Sequence, residues 1–216
     1  MAILQEGTVL TGIRGKIGTV VIYRWKDKVC ARSKPATAHK KAKRSVLQQA
    51  QANKMKLLSP ILNATAKFLK IGFKQRALER NITANNAAKS INLLNAIKGE
   101  FPEQEINWEA ILVSDGELTK PENVKVTITS KTFHFTWDEN KNIIGSQNDR
   151  AIILLYDSVQ PHFHASYSGA RRSELKDSIS LSSYQFKGKT FEVFIAFKDV
   201  MSDQVSRSVY CGRFKT

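Results

Sequence analysis

Beyond residue 120 the apolar residues fall into a series of short strand-like segments, and this limits the possible folds more than any other feature. Val124, Val126 and Ile128 alternate with polar residues in ENVKVTIT, and Phe133, Phe135 and Trp137 do the same in KTFHFTW. A period of two puts one set of side chains on the core face of a strand and the other set in solvent. AIILLY (151–156) is apolar without a break, the pattern of a continuous buried strand. HFHASY and SISLSS are shorter segments, KTFEVFIAFK (189–198) is long, and QVSRSVYC (204–211) is the last. Turn-forming stretches such as DENKN, YSGA and FKGK separate many of them. Seven such segments over 124–216 predict a β-sandwich of the immunoglobulin or fibronectin type III kind, with Trp137 as its core aromatic.

The first hundred residues follow other rules. Glycines at 7, 12, 15 and 18 punctuate short apolar runs, and TVVIYRW (19–25) is rich in β-branched and aromatic residues. With Asp27 in a turn-like KDK, Gly7 to Arg32 predicts a hairpin or a three-stranded sheet. Ser45 to Leu58 then reads as helix. Ser59-Pro60 interrupts it, as the N-cap and first residue of a second helix. Around that second helix Leu58, Ile61, Leu62, Thr65, Phe68, Leu69 and Gly72 share one face, while Asn63, Lys67, Lys70 and Lys74 lie opposite. Thr83 is the expected N-cap of a further helix with an apolar stripe of Ala87, Ala88, Ile91, Leu94 and Ile97, stopped at Lys98-Gly99. ILVS (111–114) is strand-like. The fold class is therefore α+β. Residues 1–100 form a basic hairpin-and-helix region, 101–123 a connecting segment, and 124–216 the sandwich domain.

Charge follows the same division. Residues 1–100 hold 20 Lys/Arg against 4 Asp/Glu, whereas 101–216 hold 14 against 15, so the net charge of +15 comes entirely from the first part. Such an asymmetry points to an anionic partner, nucleic acid being the commonest; the alternatives are a solvated helical surface, or an acidic protein or membrane partner. Lys40, Lys41, Lys43 and Arg44 close a polar linker, SKPATAHKKAKR (33–44), just ahead of the helices, and Lys67, Lys70 and Lys74 extend the same sign. Upstream, Arg14, Lys16, Arg24 and Lys26 flank the glycine turns and the apolar strand, where Trp25 or Tyr23 could stack on bases, core packing being the expected role of at least one of them.

Other chemistries find little support. GIRGKIG (12–18) has Leu10 and Ile17 where a phosphate-binding P-loop needs Gly and Ser or Thr. It also lacks the helix on its right flank that a KH-type GxxG clamp requires. It reads as glycine turns between strands, from which Arg14 and Lys16 can still approach phosphate. Cys30 and Cys211 fall far apart among apolar or β-prone neighbours and exclude a disulfide framework. His162 and His164 share a strand face that His134 could join, but no acidic or cysteine partner stands at metal-site spacing. There is no G-x-S-x-G elbow and no Cys/His arrangement of recognisable context. No apolar run reaches the ~20 residues of a membrane span. The start, MAILQEGTVLTGIRGK, lacks the features of a secretory signal, which predicts a cytoplasmic protein, or one exported without a signal peptide.

Several motifs together resemble an uncharacterised domain family of Bacteroidota. Gly15, Gly18, Val20-Val21, Trp25-Lys26, Arg32 and Pro35 follow the order found at the start of its members. LSP (58–60), GFK (72–74), NAIKGEFP (95–102), FTWD (135–138) and SVYCG (208–212) match further on. Cys211 departs from that pattern, since the family usually reads SVYLG there. The resemblance covers almost the whole chain. It implies a hairpin and helices followed by a sandwich, and it carries no activity, cofactor or functional residue. The sequence thus predicts a non-enzymatic protein without cofactor or metal, whose basic half contacts nucleic acid through phosphates. The alternative is a structural or assembly module working through its sandwich, in a virion or at a surface.

Overall fold

Four short strands make up the N-terminal unit, Met1–Arg44, as far as the computed structural model describes it; the described residues are 2–3, 12–25, 28–35 and 43–216. The strands are β1 (Ala2–Ile3), β2 (Gly15–Ile17), β3 (Val20–Trp25) and β4 (Lys28–Ser33), in the antiparallel order β1-β4-β3-β2. Gly18 turns the chain between β2 and β3 at a φ of 57°, which a residue without Cβ adopts at little cost. The sheet has one strand more than the sequence predicts, because β1 pairs Ala2 with Ala31 and Ile3 with Cys30 along the edge of β4.

The second unit, Ser45–Thr216, opens with α1 (Val46–Ala64), α2 (Ala66–Gly72), α3 (Lys74–Glu79) and α4 (Ala84–Asn95). Ser45 caps α1 through a reciprocal box with Gln48, and Thr83 Oγ1 accepts from the Asn86 N–H to cap α4. The helix break falls at Thr65, not at Ser59-Pro60. Pro60 lies inside α1, where its missing N–H removes only one bond of the ladder, while Leu58, Ile61 and Leu62 on either side of it are buried in one continuous stripe. Thr65 Oγ1 donates back to the Ile61 carbonyl at 2.8 Å and the chain then restarts as α2. All seven residues assigned to the apolar face of that stretch are buried. Gly72 is needed there for close packing: a Cβ would stand 2.2 Å from the Val113 carbonyl oxygen.

A short ladder of β5 (Ile97–Lys98) and β6 (Glu105–Ile106) leads to the remaining strands. These are β7 (Glu122–Thr129), β8 (Thr132–Asp138), β9 (Arg150–Asp157), β10 (His162–Ser166), β11 (Lys176–Ser180), β12 (Thr190–Lys198) and β13 (Val209–Lys215), with a single helical turn, α5 (Ser183–Phe186), before β12. They form two antiparallel sheets, β10-β9-β12-β13 and β11-β8-β7. ILVS (111–114) is buried but is not a strand. Its backbone is satisfied by side chains: Asn92 Oδ1 accepts from the Leu112 N–H and Asn92 Nδ2 donates to the Leu112 carbonyl, while Ser208 Oγ accepts from the Val113 N–H.

Two cores result, and β9 and β12 serve both. Ala151, Ile153 and Leu155 of β9 and Phe191, Val193, Ile195 and Phe197 of β12 face Phe133, Phe135 and Trp137 of β8. The alternate residues Ile152, Leu154 and Tyr156, with Phe194 and Ala196, pack against Leu58, Leu62, Phe68, Leu69 and Phe73 of the helical segment. The chain therefore divides at Arg44/Ser45, whereas the sequence places the boundary across 101–123; the physical reason is that the helices share a core with the sheet. The class is α+β.

One buried ionic cluster holds the sheet pair together at the β8 end. The Arg172 guanidinium, 1 % exposed, donates to Asp149 Oδ2 at 2.9 Å, to the Thr119 carbonyl at 2.9 Å and to Asn140 Oδ1 at 3.1 Å. It lies 4.1 Å from the centre of the Phe197 ring, and Trp137 Nε1 donates to the Arg172 carbonyl at 2.9 Å.

These contacts set what truncation and substitution do. A fragment starting at Ser45 unfolds cooperatively by chemical denaturation. One starting at Glu117 bares Ile152, Leu154, Phe194 and Ala196 and gives no sigmoidal transition, since burying each larger side chain is worth about 1.5–3 kcal/mol. Arg172→Met, which strands the Asp149 carboxylate, destabilises the full chain by about 3–5 kcal/mol at neutral pH. Adding Asp149→Asn recovers part of that loss, so urea melts of the double variant show less than the sum of the two single costs.

Candidate nucleic-acid interface

Strand register decides which of the basic residues stand together in the N-terminal sheet. Lys16 pairs with Val21, and Val21 pairs with Arg32 on the far side. Tyr23 pairs with Cys30, and Trp25 with Lys28. Residues two apart on a strand share a face. One face therefore carries Lys16, Tyr23, Trp25, Lys28 and Arg32 around Val21 and Cys30. The other carries Ile17, Val20, Ile22, Arg24, Val29 and Ala31. Lys16, Lys28 and Arg32 are exposed, Trp25 is 36 % exposed and Tyr23 half-buried.

The expected residues separate accordingly. Lys16 lies on the face with both aromatic rings, Arg24 lies on the opposite face, and Arg14 is exposed in the segment leading into β2. Lys26, Lys40 and Lys41 lie outside the described residues. Lys28 and Arg32 belong with Lys16, although the sequence does not single them out. Their signal is present as the alternation 28, 30, 32 against 21, 23, 25, but it becomes readable only once the pairing of β3 with β4 is known.

Lys43 and Arg44 end the first unit, immediately ahead of the Ser45 cap, and both are exposed. In the second unit Lys67 and Lys70 lie on the solvent side of α2, opposite Phe68 and Leu69. Lys74, at the start of α3, forms an ion pair with Asp203 in which both side chains are about half exposed. Such a pair is worth less than about 1 kcal/mol, but Asp203 offsets the charge that Lys74 brings to the stripe. Arg76 is tied to Asp115 at 3.0 Å and to Glu79 at 3.3 Å, and the bond to Asp115 raises its pKa above the ordinary arginine value.

The remaining reactive groups are dispersed. Burial pushes the Cys211 thiol up to about 12, so the thiolate that a nucleophile needs is scarce there, and Cys30 is 1 % exposed. His162 and His164 line a cleft of about 340 Å³ with Asp157, Lys189 and Tyr184, and burial, then His162, lowers the pKa of His164. His134 is on β8, paired with Ser178 in the other sheet, so the three histidines are not gathered. Among the described residues no three His, Cys, Asp or Glu side chains stand close enough to hold a metal ion. No helix among them is long and apolar enough to cross a membrane.

A comparison with curated proteins finds no match to the chain. A family model does match, over residues 12–212, from just ahead of β2 into the first half of β13. The chain belongs to DUF6266, a family of unknown function.

Proposed function

We propose that this is a non-enzymatic binding protein whose basic N-terminal half contacts nucleic acid through the phosphate backbone. One observation carries the reading: residues 1–44 hold 11 Lys/Arg against 2 Asp/Glu. Among the described members of that set, Arg14, Lys16, Lys28, Arg32 and Lys43 are exposed. Lysine and arginine on phosphates bind by releasing condensed counterions and carry no base information, so the binding is tolerant of sequence. Lys67 and Lys70 extend the same chemistry on α2.

A second reading, an assembly module, is favoured by the strand order of the second unit. Of its last seven strands the first, second and fifth make one sheet, and the fourth, third, sixth and seventh the other in that order. That order supports a fibronectin type III-like sandwich, an architecture found in many cell-surface domains. The warrant for a structural role is likeness of architecture alone, with an acidic protein as the partner of the basic half.

Salt dependence of binding separates the two. With duplex DNA the logarithm of affinity falls linearly with the logarithm of salt, by roughly 0.9 per phosphate neutralised. Replacing Lys40, Lys41, Lys43 and Arg44 with alanine flattens that slope by up to about 3 to 4 units and leaves the melting temperature almost unchanged. A folded quadruple variant with wild-type affinity and slope removes these four from the site. A wild-type chain that binds neither DNA nor RNA at low salt overturns the reading in favour of the assembly module.

A further inference from the structure

We infer that the cleft between β13 and the segment 104–109 binds a neutral carbohydrate, recognised through its hydroxyl groups. The cleft lies wholly within the second unit, and the inference is independent of the phosphate-contact reading.

At about 620 Å³ the cleft has the size usual for small-molecule sites. Its polar side chains are held from behind. Gln104 is 8 % exposed, and its Oε1 accepts from Asn53 Nδ2 at 3.1 Å. Arg213 Nε and Tyr210 Oη both donate at 2.6 Å to Glu192, which has no exposure. Trp108 is half-buried, its ring centre 5.8 Å from that of Tyr156. Groups fixed in this way have little freedom left to lose when a ligand arrives. Each still has something to offer. Among the described residues Gln104 Nε2, Trp108 Nε1 and the Arg213 Nη atoms have no hydrogen-bond partner, and neither Gln104 Nε2 nor Trp108 Nε1 is sealed from solvent. The Arg213 side chain is half exposed.

These donors select a ligand with acceptors. Glu109, on the same wall, selects one with donors: it is exposed and has no hydrogen bond or ion pair among the described residues. The other charges are already matched, Lys98 by Glu105 at 3.7 Å and Arg213 by Glu192. A phosphate or carboxylate ligand only accepts, and it would meet Glu109 with like charge. An ammonium group only donates, and leaves Gln104, Trp108 and Arg213 without acceptors. A hydroxyl group does both, and a sugar carries several on one rigid ring, so little entropy is lost in presenting them together. Leu57 and Ile106, which also line the cleft, supply apolar contact for the C–H edges of such a ring.

The test is a heteronuclear NMR titration of the isotope-labelled full chain with four neutral disaccharides: maltose, cellobiose, lactose and N,N′-diacetylchitobiose. Inorganic phosphate and spermidine serve as the acceptor-only and donor-only controls. At least one disaccharide is expected to shift the indole N–H peak of Trp108 saturably, with a Kd of about 1 mM or below. That peak is assigned by its loss in Trp108→Phe. The peak of Trp137, whose Nε1 donates to the Arg172 carbonyl in the buried cluster, stays in place. Calorimetry with the sugar that binds gives the share of each group. Glu109→Ala, at an exposed position, weakens binding about tenfold or more, since a hydrogen bond to a charged group is lost. Trp108→Phe weakens it about fivefold, the share of one neutral bond. Glu109→Ala alone decides the matter if Trp108→Phe fails to fold. The inference is overturned if none of the four sugars moves the Trp108 peak. It is equally overturned if phosphate or spermidine saturates that shift at a lower concentration than every sugar, or if folded Glu109→Ala binds the sugar as wild type does.

Discussion

The ladder between β9 and β12 is the constraint on which the second unit depends. Eight successive pairs, from Phe191 opposite Asp157 to Lys198 opposite Arg150, place two strands side by side with apolar residues on both faces. Neither face can be left to water, so the sheet needs two covers. Phe133, Phe135 and Trp137 supply one, and α1 to α4 supply the other. This is why the helical segment cannot be assigned with the N-terminal strands merely because it shares their charge. Glu192 is an acid inside this ladder, of zero exposure on the helix-facing side next to Tyr156. It is tolerated because Tyr210 Oη and Arg213 Nε both donate to it at 2.6 Å. Burial, then Asp157 and Glu192, pushes the Tyr156 phenol up to about 12, and burial and the hydrogen bond to Glu192 raise that of Tyr210. Both phenols therefore stay neutral beside Glu192.

How much of this is legible in the sequence depends on whether the pattern has a period. The alternation in 124–137 assigns faces directly, and all three aromatic residues of β8 lie in the core as the sequence predicts. AIILLY and KTFEVFIAFK announce burial but cannot say what covers them, because a run apolar at every position has no preferred side. The connection from helices to sheet is hidden in that ambiguity. ILVS misleads for a related reason: strand-like composition reports burial, while Asn92 and Ser208 do the hydrogen bonding that a ladder would have done. Pro60 misleads in the opposite direction, since a local rule about one missing N–H yields to a buried stripe on both sides of it. The Arg172–Asp149 pair cannot be read at all, being two ordinary charged residues 23 positions apart until the fold encloses them.

The candidate interface shows the same limit at smaller scale. Lys16 and Arg24 can be named as basic residues near glycine turns, but which of them share a surface is a property of register, and register is set by pairing partners. A shift of one residue between β3 and β4 would exchange Lys28 and Arg32 for Val29 and Ala31 on the aromatic face. The observed pairing makes one face apolar apart from Arg24 and Ser33, and gives the other Lys28, Arg32, Tyr23 and Trp25 around Val21 and the buried Cys30.

Counting charges along the chain overstates how evenly they are available. The excess in residues 45–100 meets acids from later in the sequence: Asp203 reaches Lys74, and Asp115 reaches Arg76. The stripe on the helices is thereby trimmed at its C-terminal end, where Lys74 is offset while Lys67 and Lys70 keep their solvent-facing places on α2. In Met1–Arg44 no such supply exists within the unit, since Glu6 and Asp27 are its only acids. A net of +9 on 44 residues, 11 basic less 2 acidic, repels itself, and ions from solution or a polyanion relieve that repulsion. Exchanging many loosely held small ions for one polyanion is entropically favourable, which makes this unit, more than the helices, the place where such a partner gains most.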